Sequence, residues 1–391
     1  MNNLEEKALD INYNIDDHDI NTAREVTIKC NGKRFRILLE LVTSCFGNCT
    51  GCSLSYTDRR KLEPEMSIEQ IQKTLTYFIP IINNKKELRT TVVNLGTGDY
   101  FLMPEEFLEQ LFKTIRVFFD QLNTPRNVMT ISTSLFLSEE KMLTKIKAIT
   151  KHLHTSQFAI DGVVDPFLLA IHYDRYVTNY KALTKHFPFF DLVINISNEV
   201  QISHIQLLSR FLNEMGILNF DVQYAVNKTN TYRVKTSKEK FAELLQEIYT
   251  ILGDRTKDMV ELSIAMPEKD KESSNIFDEM KNHAKMIVKE RVLVKSNGNI
   301  YPIGFGYGDI MLDERYDFPP IGSINEPYDE IAAADKIFKY LKNIFLKNKV
   351  CHTCEYNKYC YSTGYAFYNK FNDPNKCENV GLFTLKQVVD N

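Results

Sequence analysis

The chain has 391 residues, 43% of them apolar and 25% charged, with a formal net charge of −3 and a pI near 6.3. That is the composition of a globular protein with a large buried core, and it lacks the basic field that gathers nucleic acid or coats an anionic membrane, so neither is an expected partner. The opening "MNNLEEKALDINYNIDD" has no apolar h-region and no long apolar run follows it, so neither a signal peptide nor a membrane span is expected, and the protein is read as cytoplasmic.

Residues 1–24 are polar and acidic and read as a solvated leader. "EVTIKCNGKRFRILLELV" then predicts two strands around Asn31-Gly32, a strong hairpin signal. Cys30, beside that turn, is read as structural. From residue 37 to about 265 one rhythm repeats: a β-rich apolar run, a loop, an amphipathic helix. Strands are expected at 36–42, 90–96, 128–133, 157–161, 192–197 and 220–226, with a further run at 260–266. Ser67 and Gln70 form a capping-box pattern with Ile68, Ile71, Leu75 and Phe78 at helical spacing. Pro104 stands where a first-turn proline belongs, before Phe107, Leu108, Leu111, Phe112 and Ile115. Ser138 and Ser203 precede the next amphipathic runs, the second closing on Gly216.

Six β-then-α units imply parallel strands with right-handed crossovers. They are too few for the eight-stranded closed barrel. The expected fold class is therefore α/β, a partial (β/α)6 barrel with its active site at the C-terminal strand ends. After a charged stretch at 267–285, "RVLVKSNGNIYPI" predicts a second hairpin turning at Asn297-Gly298, and a helix follows at about 328–347. The expected division is a leader at 1–24, a barrel with its N-terminal hairpin at 25–275, and a small cysteine-rich domain at 276–391.

In a reducing compartment, clustered cysteines read as metal or redox ligands. "TSCFGNCTGC" places Cys45, Cys49 and Cys52 just after the first strand, at the mouth of the sheet. A structural zinc site takes four ligands, and no histidine or fourth cysteine is near. Three thiolates on a four-iron cluster leave one iron open for another molecule. A second group, Cys351, Cys354, Cys360 and Cys377, could fill a zinc site or fully ligate a four-iron cluster.

The C-x3-C-x2-C spacing after strand one of a βα array resembles the signature of the radical S-adenosylmethionine (radical SAM) superfamily. That resemblance implies an open iron chelating SAM and a one-electron cleavage to methionine and a 5′-deoxyadenosyl radical. "GTGDY" at 96–100 resembles the family's glycine-rich SAM-amine motif, with Thr97, Gly98 and Asp99 on its Gly-Gly-Glu core. Gly98 would let the backbone come close, and Asp99 would accept from an ammonium; Thr97 and Tyr100 depart from the pattern. Thr133 and Ser134 resemble the Thr-Asn pair often found after strand three. "AIDG" at 159–162 is similar to the Ser-Ile-Asp-Gly of peptide-modifying members, with Ala159 where a ribose-binding serine is common. Asn195 and Ser197 on strand five complete the implied SAM set at the pocket rim. Gly51 stands where many members keep an aromatic residue, leaving adenine stacking to another group such as Tyr56 or the backbone. Asp161, Asp99 and the tyrosines are the candidates for a base, and none is preferred.

The C-terminal C-x2-C-x5-C-x16-C spacing and the upstream "SNGNIYPI…IGSI" are similar to the SPASM extension of sulfatase-maturating enzymes and peptide maturases. A full SPASM domain has seven cysteines. Here Ile303 and Gly364 occupy two ligand positions. His283 is the residue at a third, where it is expected on a solvated helix face. The resemblance therefore implies two [4Fe-4S] clusters in all: one on Cys45, Cys49 and Cys52 that binds SAM, and one auxiliary cluster with four cysteine ligands. The implied function is a radical SAM oxidoreductase that abstracts hydrogen from a ribosomally made peptide or protein, giving oxidation or a side-chain crosslink. Its electron donor would be a protein such as flavodoxin or ferredoxin. A small sugar or nucleotide is the alternative substrate, and a non-enzymatic zinc-binding interaction protein is the alternative class.

Overall fold

The computed structural model describes residues 34–45, 60–61, 63–96, 98–154, 157–187, 190–196, 200–217, 220–224, 243–244, 247, 250, 275–303, 318–354 and 357–358. Six parallel strands appear where the apolar runs predict them: β1 (Arg34–Leu39), β2 (Thr90–Leu95), β3 (Arg126–Thr133), β4 (Phe158–Val164), β5 (Phe190–Ile196) and β6 (Phe220–Tyr224). Each pairs in parallel with its neighbour in sequence. The helices between them are α1 (Ile68–Asn83), α2 (Glu105–Phe119), α3 (Glu139–Thr150), α4 (Pro166–Ile171), α5 (Tyr173–His186) and α6 (Ile202–Glu214). The first strand of the N-terminal hairpin and the run at 260–266 lie outside the described residues.

The sheet does not stop at β1. The helix α7 (Ile276–Glu290) leads directly into β7 (Arg291–Val294), and the chain returns through β8 (Asn299–Pro302) and β9 (Gly322–Ser323). The nine-stranded order is β6-β5-β4-β3-β2-β1-β7-β8-β9, with β7 parallel to β1 and the last two strands antiparallel. Among the described residues, terminal strands β6 and β9 do not meet, and the barrel they outline is partial and open. The second hairpin thus forms as predicted, and it extends the same sheet. Its turn needs Gly298, at φ +81°, where a side chain would be strained.

One face of the sheet carries the helices. Phe35, Ile37 and Leu39 of β1 are fully buried in a single core with Ile71, Leu75 and Phe78 of α1. Alternate residues face the other way, since side chains alternate along a strand. Leu38 on that second face packs with Leu293, Tyr301 and Ile303 in a small separate cluster. Ile303, at a position where the SPASM resemblance looks for a ligand, is fully buried there.

The caps follow the sequence closely. Ser67 Oγ accepts from Gln70 N at 3.2 Å, and Ser67 N donates to Gln70 Oε1 at 2.8 Å. Pro104, expected in the first turn, stands one place earlier as the N-cap of α2, and Ser138 is the N-cap of α3. Helix α6 starts earlier than Ser203 suggests: Gln201 is its N-cap, and its backbone N–H donates to His204 Nδ1 at 3.1 Å. An imidazole supplies the capping acceptor, which a search for serine or threonine misses. The helix ends on a Schellman motif, with Ile217 N to Leu212 O at 2.9 Å and Gly216 N to Asn213 O at 3.2 Å.

The C-terminal region is bound to the first βα unit. Tyr77 Oη donates to Glu326 O at 2.8 Å, Lys73 Nζ to Asn325 Oδ1 at 2.9 Å, and Gln70 Nε2 to Ser296 O at 3.3 Å. Lys85 pairs with Glu330 at the start of α8 (Glu330–Lys347), which packs along α7. His283, expected on a solvated face, is a correction: it is only 2% exposed, turned into the core side of α7. No described helix is long and apolar enough to cross a membrane.

At the strand ends, Lys295 after β7 and Glu40 after β1 form an ion pair at 2.6 Å, with side chains 13% and 8% exposed. Removing one partner strands the other charge in a poorly solvated place. Lys295→Met should therefore destabilise the fold by about 3 kcal/mol. Lys151→Met, which breaks the exposed pair with Glu109, should cost under about 1 kcal/mol. Urea unfolding midpoints of the two variants check the contrast.

Candidate functional site at the strand ends

The parallel strands β1 to β7 present their C-terminal ends on one edge, and of the predicted site residues that the structure describes, Cys45, Gly98, Asp99, Thr133, Ser134 and Asn195 lie at or near that edge, while Cys351 and Cys354 do not. The chain leaves β1 through Leu41, Val42, Thr43 and Ser44, all buried, and reaches the half-buried Cys45. The loop after β2 brings Gly98 and Asp99 against this segment. Asp99 N donates to Ser44 O at 2.7 Å. A Cβ on Gly98 would lie 2.4 Å from Val42 O and 2.8 Å from Ser44 O, so only glycine allows the two backbones this close.

Asp99 is fully buried and joins three strand ends. Its Oδ1 accepts from Phe101 N at 3.1 Å, which caps the 3-10 turn Tyr100–Leu102. Its Oδ2 accepts from Ser134 Oγ at 2.5 Å, Ser134 N at 2.9 Å and Thr133 Oγ1 at 3.3 Å. Burial pushes the carboxyl pKa up, and the bonds from Ser134, Phe101 and Thr133 work against that rise. With four protein donors, Asp99 has little acceptor capacity left. The resemblance gives it a ligand ammonium; in this structure its donors come from the rim itself.

The turn after β3 is also held from the far side. Leu135 adopts a left-handed φ of 58°, uncommon for a leucine. Its N–H donates to Thr133 Oγ1 at 3.2 Å. The carbonyls of Leu135 and Leu137 accept from the buried Asn179 Nδ2 at 2.6 and 2.7 Å. Asn179, on α5, is a supporting residue that sequence reading missed, because nothing in a helix pattern marks an inward amide as a tie to a distant turn.

Below this rim, the face turned away from the helices carries half-exposed polar side chains. Asn94 lies in register with Thr130, and Ser132 with Asp161. Asn195 on β5 is half-exposed as well, while Ala159 is buried against Val128. Asn94, Thr130 and Ser132 also escaped the sequence reading. A partial signal was present in "VMTIST", where Thr130 and Ser132 alternate with Met129 and Ile131 at the period of a strand with one open face, while Asn94 stands as a lone polar residue in "VVNL".

Among the second cysteine group, Cys351 is buried in the short helix α9 (Lys349–His352), and Cys354 follows half-buried. Asn357 closes the turn, its Nδ2 donating to Cys351 O and its N–H to Cys354 O, each at 3.2 Å. Cys49, Cys52, Thr97, Ser197, Cys360 and Cys377 lie outside the described residues. Among the described residues, no three histidine, cysteine or acidic side chains gather as a metal site. Two features of the first site fit a bound group: a thiol on the rim, and a buried Ser44 hydroxyl that has no hydrogen-bond partner among the described residues.

The open, mostly parallel sheet is a fold that the chain shares with solved structures. Among solved structures, the chain is similar to native anSMEcpe with bound AdoMet, a radical SAM maturase, at a TM-score of 0.58 and 13% identity, covering 91% of this chain and 96% of that one. The polyhistidine-tagged form with AdoMet gives the same TM-score and identity over 91% and 92% of the two chains. The complex with AdoMet and the Cp18Cys peptide gives a TM-score of 0.56 and 12% identity over 91% and 96%. At these identities the likeness is one of fold. No protein-family model matches the chain, and no curated protein matches it.

Two outcomes follow from Asp99. Asp99→Ala leaves the buried N–H groups of Phe101 and Ser134 without acceptors and should cost about 2–4 kcal/mol, read from denaturant unfolding. The pH dependence has a definite sign. A carboxyl whose folded pKa is raised takes up its proton first in the folded state. Its contribution to stability is therefore present below its ordinary value of about 3.9 and is lost as pH rises through the folded pKa. Asp99→Asn should remove that part of the slope, measured as the difference between parent and variant unfolding curves across the acid range.

Proposed function

We propose that the chain is a radical SAM enzyme that modifies a peptide. The observation that carries the reading is the meeting of Cys45 with Gly98 and Asp99 at the strand-end rim, joined through the Ser44 carbonyl. Its support is the fold shared with anSMEcpe, whose structures hold AdoMet and, in one case, a peptide. Cys45, Cys49 and Cys52 would hold a [4Fe-4S] cluster. Thr97, Gly98, Asp99, Thr133, Ser134, Asn195 and Ser197 would hold SAM, with Asp99 presetting the others. When bound, the cluster and SAM supply a one-electron cleavage whose 5′-deoxyadenosyl radical takes a hydrogen atom from the substrate.

The chain's own residues supply position. Gly98 brings two backbones to van der Waals limits, Asp99 fixes Thr133 and Ser134, and the half-exposed Asn94, Ser132 and Asp161 offer polar partners below the rim. Cys351, Cys354, Cys360 and Cys377, in a domain at 276–391 that follows the barrel at 25–275, would hold a second [4Fe-4S] cluster with no open iron. With every iron held by a cysteine, such a cluster would supply electron-transfer chemistry and leave no iron open to a substrate. The electron that starts the reaction would come from a flavodoxin or ferredoxin. The product is an oxidised or crosslinked residue.

Anaerobic reconstitution tests the reading. The parent should take up about eight irons per chain and cleave SAM reductively to 5′-deoxyadenosine. Cys45→Ala should abolish cleavage. The pair Cys351→Ala and Cys354→Ala should keep it while losing about four irons and peptide turnover. Stoichiometric zinc without SAM cleavage would overturn the enzyme reading in favour of a zinc-binding protein. A co-expressed peptide substrate should lose about two daltons, one hydrogen pair per oxidation; turnover of a sugar or nucleotide with no peptide change would overturn the substrate class.

A further inference from the structure

Ser44 is fully buried, and among the described residues its hydroxyl has no hydrogen-bond partner. A buried hydroxyl without a partner is costly and calls for an explanation in the molecule's working state. The Ser44 peptide is not at liberty to turn and find one. Its carbonyl is held by Asp99 N at 2.7 Å, and Gly98 is seated on that same carbonyl. The next residue in the chain is Cys45. Thr130 also carries a buried hydroxyl without a partner among the described residues, but it lies in the middle of β3, away from the rim.

We propose that the Ser44 hydroxyl donates a hydrogen bond to a sulfur of the cluster carried by Cys45, Cys49 and Cys52, as a positioning residue that raises the cluster's reduction potential. The inference rests on the cluster reading above. A donor aimed at a cluster sulfur stabilises the added negative charge of the reduced state, so the one-electron couple moves to a higher potential. The clamp from Gly98 and Asp99 keeps the donor in place whether or not SAM is bound. No atom of the substrate is involved, so the residue acts through the cluster alone.

Ser44→Ala and Ser44→Thr, in the full reconstituted chain, test this. A mediated titration with dithionite as electron source follows the electron paramagnetic resonance signal that responds to added SAM, which separates this cluster from the auxiliary one. At a fixed poise, Ser44→Ala should show about a tenfold smaller reduced fraction, or about 59 mV for a one-electron couple. Ser44→Thr, which keeps a donor, should hold the parent value. In the iron-free protein the alanine variant should melt no lower than the parent, since no hydrogen bond of the Ser44 hydroxyl among the described residues is lost. An alanine variant with full iron and an unchanged potential overturns the proposal, as does an iron-free variant that melts earlier. Loss of the cluster in Ser44→Ala with the iron-free melting point kept supports it. A parent that takes up no iron on Cys45, Cys49 and Cys52 overturns the underlying cluster reading instead.

Discussion

A single buried carboxylate organises the rim. Asp99 ties the end of β2 to the end of β3 through three donors and caps its own turn through a fourth, Phe101 N, while its own N–H ties β2 to the segment leaving β1. Burying a carboxylate is costly, and the fold tolerates it only because nearly all of its acceptor capacity is met inside the protein. The return is rigidity at three strand ends at once. Loops that would otherwise fluctuate are held in one arrangement before any ligand arrives, which is what a site that works by positioning requires.

The rest of the architecture follows from strand direction. Parallel strands send every C-terminal end to the same edge, so Cys45, Gly98, Thr133, Asn195 and Lys295 share a rim although they are far apart in sequence. Helices cover one face and leave the other with half-exposed polar groups at alternate positions. Strand β7 then adds itself beside β1 in parallel, and the Lys295–Glu40 pair closes that side just beneath the cysteine segment. Tyr100, fully buried, feels the same pair: burial pushes its phenol pKa well up and the Glu40 charge adds to the rise.

Much of this was legible in the residues. Six strands and their parallel order followed from six repeats of an apolar run and an amphipathic helix, and Ser67–Gln70 capped α1 as its spacing required. Gly98 was legible because only a glycine allows a close backbone approach. What escaped were relations between segments distant in the chain. The saturation of Asp99 depends on Ser134, thirty-five residues on. The tie from Asn179 to the Leu135 turn spans a helix and a strand. His283 was misjudged because one polar residue on an amphipathic helix looks solvated until the neighbouring α8 is known to pack against it. Propensity and period are local quantities, and these contacts are not local.

In the C-terminal region, packing accounts for the residue at one position where the SPASM resemblance looks for a ligand. Ile303 fills the cluster with Leu38, Leu293 and Tyr301 on the open face of the sheet. A thiolate there would be desolvated among aliphatic groups, and a metal bound to it would displace part of that cluster. Cys351 and Cys354 lie beyond α8, on the turn that Asn357 closes. From Cys351 the path to the first site runs through packed elements: α9 continues α8, α8 lies along α7, α7 feeds β7, and β7 pairs with β1, which ends near Cys45. Any displacement of the late cysteine turn must therefore be absorbed by helix packing before it reaches the rim. Cys45 and Cys351, some three hundred residues apart in sequence, are thus set on one continuous framework of packed elements.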